Sequence, residues 1–260
     1  MPMLAPSSLT DRARRNLTAL ATLDHIDQRG GQVTDHDRAR LGLWTGWGAL
    51  PQLFDPTVDR EPFAGLRRDL EQRLTGVELR AASASTLNAH YTDPAVIDAV
   101  WRLCTAAGFA GGRVLEPGCG SGLFIGHAPD EVRRTSRFVG VEIEPVTARI
   151  AAALYPQAEI RPVGFETVRD PDGSFDLAVG NVPFGKYSLF DPIHNPERAT
   201  IHNYFALKAL HLVKPGGLVA IVTSRYTLDA RNPAARRALY DLADLKAAIR
   251  LPNGAHRGVA

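Results

Sequence analysis

The chain has 260 residues, of which 45% are hydrophobic and 22% are charged, and its formal net charge is +2. These values are typical of a globular protein and exclude a basic coat protein, and no apolar run approaches the roughly 20 residues that a membrane-spanning helix needs. The N-terminus lacks the apolar segment of a signal peptide, and two cysteines, Cys104 and Cys119, provide neither a disulfide framework nor a metal-ligand cluster. We therefore expect a cytoplasmic protein without a metal site.

Residues 1–85 are predicted to form a helical N-terminal region. Apolar residues recur at near-helical spacing from Leu17 to Ile26, and two glycines end that pattern. A second helix is predicted to begin at the capping signal TDHD, and a third to run through PFAGLRRDLEQRLTGVELRAA. The turn-rich segment between them carries Trp47 and Phe54, which we expect to pack against the domain that follows.

Residues 86–260 are predicted to form an α/β domain. Six apolar strands alternate with helical segments; the strands are RVLEP, RFVGVEI, AEIRPV, FDLAVGN, GGLVAIVTS and LKAAIRLP. Nearly continuous apolar strands separated by helices predict a parallel sheet that is covered on both faces, and therefore a doubly wound, Rossmann-like fold.

The first strand runs into the glycine-rich turn of VLEPGCGSG. Gly118, Gly120 and Gly122 allow the backbone, including Cys119, to approach a ligand beyond the carboxyl end of the strand. Glu116 precedes these glycines and suits the ammonium group of an amino acid better than a pyrophosphate, whose charge it would repel. This favours S-adenosylmethionine over NAD as the cofactor.

The strands that follow supply further candidate cofactor residues. The second strand ends at Glu142, followed by Ile143, and an acidic side chain there can accept both hydroxyls of a ribose in either cofactor. The third strand leads to Phe165 and Glu166, which are candidates for contact with an adenine ring, although core packing explains Phe165 equally well.

Two residues upstream of the first strand are also candidates for the cofactor site. Tyr91 and Thr92 are predicted to close over the amino-acid end of the cofactor. Asp93 follows them and can cap the next helix.

The fourth strand ends in GNVPFG, and with this motif the sequence resembles an S-adenosylmethionine-dependent N6-adenine DNA methyltransferase. Four segments carry the resemblance in the γ-like order, namely AHYTDP, VLEPGCGSGLF, FVGVEIEP and GNVPFG. Further likeness, in STLNAHYT, IHNYF, TSRYTLD and AIRLPNGA, is to the methylase segment of large bacterial and phage methylase–helicase fusion proteins. The resemblance covers roughly residues 85–251 and implies a class I methyltransferase fold with S-adenosylmethionine as cofactor and DNA as substrate.

The resemblance also assigns catalytic roles. An exocyclic aromatic amine is a poor nucleophile, because its lone pair is delocalised into the ring. The side-chain oxygen of Asn181 and the backbone carbonyl of Val182 would accept its hydrogens and free that lone pair. Pro183 restrains the preceding residue, and Phe184 offers a face on which a flipped base can stack.

The sequence departs from the family pattern in two ways. Val182 stands where the first proline of the motif is usual, which removes one restraint on the loop and implies slower turnover or an inactive DNA-binding domain. Such domains also place a seventh, antiparallel strand beside the fifth. Because the sequence stops shortly after the sixth predicted strand, we expect the last strand to be missing and the chain to be a piece of a longer protein, with a helicase region as a partner, or a shortened form.

Three alternatives share part of this evidence. Methyltransferases that act on a release-factor glutamine or on RNA guanine N2 use similar motifs. A DNA- or cofactor-binding module of a larger defence or mobile-element protein would share the fold without catalysis. An NAD-dependent enzyme would use the same glycines but is disfavoured by Glu116.

Overall fold

The computed structural model describes residues 8–86 and 92–252, and these form a helical N-terminal region followed by a five-stranded α/β domain. The helices of the first region are α1 Leu9–Gln28, α2 Asp35–Leu41, α3 Pro51–Phe54, α4 Phe63–Arg73 and α5 Gly76–Ser85. The strands are β1 Gly112–Pro117, β2 Ser136–Val141, β3 Glu159–Arg161, β4 Phe175–Asn181 and β5 Val213–Val222. The remaining helices are α6 Pro94–Ala106, α7 Leu123–Gly126, α8 Asp130–Thr135, α9 Pro145–Leu154, α10 Ile201–Leu212, α11 Tyr226–Asp229 and α12 Ala234–Leu242.

The sheet confirms the predicted doubly wound class. Its strand order is β3-β2-β1-β4-β5, and every neighbouring pair is parallel. The middle residues of β1, β2 and β4 are buried, as expected for strands covered on both faces. The carboxyl ends of all five strands therefore meet at one edge of the sheet.

Two sequence predictions about the elements were wrong. The segment Leu245–Pro252 forms no strand, and its residues Leu245 and Ile249 are exposed. A β-strand needs a ladder of hydrogen bonds to a neighbouring strand, and this segment pairs with none of the described strands. The third predicted helix is two helices, because the Thr75 side chain caps a new start at α5 in a capping box with Glu78.

The N-terminal helices share a core with the α/β domain. Their buried residues form one apolar cluster with Val146 and Ile150 of α9. Trp47 is 1% exposed and donates from Nε1 to Glu144 Oε2 at 3.3 Å, and the ring of Phe54 lies 5.5 Å from that of Trp47. The prediction that Trp47 anchors this region against the next domain is confirmed.

The described helices of this chain are each too short or too polar to cross a bilayer.

Candidate cofactor and target site

The glycine turn is the centre of the candidate cofactor site. Gly118, Gly120 and Gly122 have φ values of 68°, 54° and 81°, which are strained for any residue with a Cβ. The turn is tied to the neighbouring strand, because Cys119 N donates to Val141 O at 2.9 Å. A Cβ added at Gly120 would meet no described atom within 4 Å, so this side of the turn is open to a ligand.

Glu142 lies directly beside this turn. Its Oε2 accepts from Gly120 N at 2.9 Å and its Oε1 from Glu144 N at 2.8 Å. Burial raises the pKa of the Glu142 carboxyl to about 7, against the opposing effect of these two hydrogen bonds. Each carboxylate oxygen keeps a second lone pair, so both can still accept a ribose hydroxyl.

Glu116 is buried at the end of β1, with 3% of its surface exposed. Its Oε2 accepts from Ile125 N at 3.2 Å, which ties β1 to the first turn of α7. Burial holds the pKa of this carboxyl well above its usual range, and the negative charge of Glu142 adds to that effect. A cationic ligand would stabilise the ionised form of both carboxyls, whereas a pyrophosphate would be repelled by their negative charge. The carboxyls and the open glycine turn therefore fit a ligand that carries a ribose and a positive charge.

The other predicted cofactor residues are Ile143, Thr92 and Tyr91. Ile143 is 67% exposed, and Thr92 is buried immediately before Asp93, which caps α6 by accepting from Ala95 N. Tyr91 lies outside the described residues. Their roles at a cofactor stay predictions.

Phe165 and Glu166 form a short 3₁₀ turn after β3. The Phe165 ring is 3% exposed and packs on Phe205, with 4.8 Å between ring centroids. Core packing of Phe165 is thus observed, while the contact of Phe165 and Glu166 with an adenine ring stays a prediction.

The predicted catalytic motif begins at the last residue of β4. β1 and β4 are neighbours with Leu115 level with Ala178, and the same register extended to the strand ends brings Asn181 level with Gly118. The proximity is direct, because a Cβ added at Gly118 would lie 3.6 Å from Pro183 Cδ. The structure therefore brings the motif and the glycine turn together.

The rest of the motif is held by the core on both faces of the sheet. Val182 is 1% exposed and its N donates to Val222 O at 3.1 Å, so β5 supports the loop where the sequence lacks the first proline. Phe184 packs against both apolar clusters of the α/β domain.

Two buried polar groups that the sequence analysis did not single out support this edge. Glu144 caps α9 by accepting from Val146 N and Thr147 N, and its own N–H holds Glu142. Lys208 and Asp191 form a fully buried ion pair at 2.8 Å, with Lys208 Nζ also donating to the Phe165 carbonyl. The E-x-E spacing of Glu142 and Glu144 signals the first group, but nothing local signals the second, because its partners are far apart in sequence.

Comparison with known proteins supports the hypothesis of a methyltransferase. No protein-family model matches the chain. The chain is 31% identical over 196 residues to defense against restriction protein B of Escherichia phage P1, a match that covers 74% of this chain and 8% of that protein. It is 40% identical over 105 residues to the type II methyltransferase M.TthHB8I of Thermus thermophilus, which covers 40% of this chain and 23% of that enzyme.

A solved structure shares the fold. The type I restriction-modification system methyltransferase subunit from Streptococcus thermophilus superposes with a TM-score of 0.52 at 15% identity, over 87% of this chain and 59% of that chain. The class I methyltransferase fold is thereby confirmed, and the sequence matches confirm the resemblance to a DNA methyltransferase segment of large proteins. This chain spans less than a tenth of the phage protein and less than a quarter of the Thermus enzyme.

Proposed function

We propose that this chain is the catalytic segment of an S-adenosylmethionine-dependent DNA methyltransferase that acts on the N6 amino group of adenine. The observation that carries the proposal is the proximity of the two motifs, since Pro183 Cδ would lie 3.6 Å from a Cβ added at Gly118. A methyl donor on the glycine turn and an amine at Asn181 would therefore be neighbours. The similarity to methyltransferases of restriction–modification systems supports DNA as the substrate.

The chain's own residues suit the binding and orientation of the cofactor. Glu142 would accept the ribose hydroxyls, and Glu116 lies where an ammonium group is favoured. Bound there, S-adenosylmethionine supplies an electrophilic methyl group on a sulfonium. Because the reaction needs neither a covalent enzyme intermediate nor an acid with a tuned pKa, its rate depends on positioning and on electrostatic stabilisation.

The motif at the end of β4 would hold the target amine. The Asn181 side-chain oxygen and the Val182 carbonyl accept its two hydrogens, which directs the nitrogen lone pair toward the glycine turn. The methyl group that the cofactor supplies would pass from sulfur to this nitrogen, with the electrons of the C–S bond staying on sulfur, and the surplus proton on nitrogen would leave to solvent. Phe184 would stack on the flipped base, which is out of reach inside a duplex.

A substrate panel tests the proposed function. The chain is incubated with S-adenosylmethionine carrying a tritiated methyl group and, separately, with double-stranded DNA, single-stranded DNA, RNA and a release factor. We expect label in DNA alone. Label in RNA or in the release factor but not in DNA would contradict the proposal, and binding of NADH rather than S-adenosylmethionine would contradict the cofactor.

The wider assembly is also a proposal. The expected helicase region of a longer protein remains a prediction from the sequence, as do the domain boundary at residue 85 and cytoplasmic localisation.

A further inference from the structure

Two exposed aromatic–arginine pairs follow the two neighbouring strands that end at the motif. Phe190 is 69% exposed, and the guanidinium carbon of Arg198 lies 5.7 Å from its ring centroid. Tyr226 is 48% exposed, and the guanidinium carbon of Arg225 lies 4.9 Å from its ring centroid. Arg225 Nη2 also donates to the Tyr226 hydroxyl at 3.1 Å.

The first pair lies on a closed loop that begins beside the motif. Ile201 N donates to Tyr187 O at 2.9 Å, so the two ends of the segment 187–201 lie side by side, as in an Ω-loop. A Cβ added at Gly185, the residue after Phe184, would lie 3.4 Å from the Ile201 side chain. The loop therefore starts and ends at the mouth of the proposed target site.

The conformation of this loop is fixed by hydrogen bonds within it and by an ion pair to α10. The side chain of Asn195 donates to Leu189 O at 2.9 Å and accepts from Ala199 N at 2.8 Å. Asp191 is fully buried and pairs with Lys208 of α10. Phe190 is thus exposed on a fixed support.

Arg198 adopts a backbone conformation that side chains rarely occupy. Its φ is 51°, and it is the one non-glycine residue with positive φ in the described part of the chain. Such a conformation is unfavourable for arginine, and residues of this kind cluster at functional sites. The loop thus keeps an arginine where glycine would fit with less strain.

The second pair lies where β5 leaves the sheet. Asn181 is level with Val222, so Arg225 and Tyr226 emerge beside the motif. The pKa of the Tyr226 hydroxyl is lowered by Arg225 and, to a smaller degree, by the charge of Lys186. Lys186 is exposed one residue past the motif and adds a positive charge beside it.

The charges beside the motif and in the loop favour a polyanion. Lys186, Arg198 and Arg225 are exposed, against the exposed Glu197 in the loop. The nearby Asp229 is engaged by Arg250 at 2.9 Å. Exposed rings beside arginines are the combination that holds unpaired bases and their phosphates.

We propose that the Phe190–Arg198 and Tyr226–Arg225 pairs hold the DNA strand that carries the target adenine, with the rings stacked on bases next to the flipped one and the guanidiniums on phosphates. This inference rests on the proposed function, since it assigns the contacts of the same substrate. It places single-strand contacts within the catalytic segment itself.

The test measures DNA affinity by fluorescence anisotropy with a labelled single-stranded 16-mer, in the presence of S-adenosylhomocysteine. We expect Phe190→Ala and Tyr226→Ala each to raise the Kd by about fivefold to a hundredfold, the usual effect of losing one stacked base. Tyr240→Ala removes a ring that is 80% exposed on α12 and serves as the control with unchanged Kd.

The arginines are tested by the salt dependence of binding. Arg198→Gln and Arg225→Gln should each lower the slope of log Kd against log salt concentration by about one, as expected for one phosphate contact. Arg134→Gln, on α8 before β2, should leave the slope unchanged. Arg198→Gly adds a second control, because it relieves the strained φ. It should melt at or above the wild-type temperature while its Kd for DNA rises.

The outcomes separate this inference from the proposed function. If the wild type binds and methylates DNA but all four variants bind DNA like the wild type, this inference fails alone. If the rings matter only for association with a protein partner, it also fails. If the wild type methylates RNA or protein and binds no DNA, the proposed function itself has failed.

Discussion

At the residue scale, the proposed function depends on a few polar groups at the ends of strands. Glu142 is one of them, and its pKa is changed by its surroundings. Its carboxyl is buried beside the glycine turn, and burial raises its pKa from the ordinary 4.5 of a glutamate to about 7. Protonation of a single group can therefore control cofactor binding near neutral pH.

We predict that cofactor affinity rises with pH because of Glu142. Only the ionised carboxylate can accept both ribose hydroxyls. A pKa of about 7 leaves roughly a tenth of the carboxyls ionised at pH 6 and about nine tenths at pH 8. The Kd for S-adenosylhomocysteine, measured by calorimetry, should thus fall by about tenfold between these pH values.

Glu142→Gln is the matched control for this titration. It keeps the size of the side chain, and any titration of the ligand persists in it. The variant should bind more weakly at pH 8 and lose most of the pH dependence. An unchanged pH profile in Glu142→Gln would show that another group is responsible.

At the scale of single elements, the connection after β4 is held by a buried lysine. Lys208 of α10 reaches across to the Phe165 carbonyl at 2.8 Å and to Asp191 in the loop at 2.8 Å. One buried ammonium thus fixes the turn after β3 and the loop after β4 together. The pKa of Lys208 is lowered by burial, against the opposing effect of Asp191.

We predict that Lys208→Met is strongly destabilising because it leaves Asp191 as a buried charge without its cation. The free energy of unfolding, measured with urea, should fall by about 3–5 kcal/mol. The double variant Lys208→Met/Asp191→Asn removes both charges and should regain a large part of this loss. The charge pair is not the cause if the double variant loses as much free energy of unfolding as Lys208→Met and Asp191→Asn lose together.

The elements also show where the sequence was sufficient. FDLAVGN was predicted as a strand and forms β4 from Phe175 to Asn181. Its short length and the turn signals on both sides favour a strand over a buried helix. The glycine turn and the motif were also recognisable, since both are contiguous. The Lys208–Asp191 pair and the Trp47–Glu144 contact could not be predicted, because each joins residues that only the tertiary fold brings together.

At the scale of the whole molecule, the N-terminal helices and the α/β domain pack as one unit. Trp47 contacts Glu144, which in turn holds Glu142 through its backbone N–H. Val146 and Ile150 of α9 belong to the same apolar cluster as the N-terminal helices. Loss of either region would expose the core of the other.

We therefore predict one cooperative unfolding transition for the two regions. In a Trp101→Phe variant, fluorescence comes from Trp44 and Trp47 alone and reports the N-terminal helices. Three signals should change at the same urea concentration: the tryptophan fluorescence, the far-ultraviolet circular dichroism and the release of bound S-adenosylhomocysteine. Two separated transitions would show that the helices fold independently.

We propose that Asn181 holds the amine that is methylated, and nucleoside mass spectrometry of digested DNA tests this role. The wild type should produce N6-methyladenosine as the deoxynucleoside. Asn181→Ala should reduce that product by about a hundredfold or more, as when a hydrogen-bond partner of the transition state is removed, while its melting temperature stays near that of the wild type. DNA methylated at another atom, or an Asn181→Ala variant as active as the wild type, would contradict the claim.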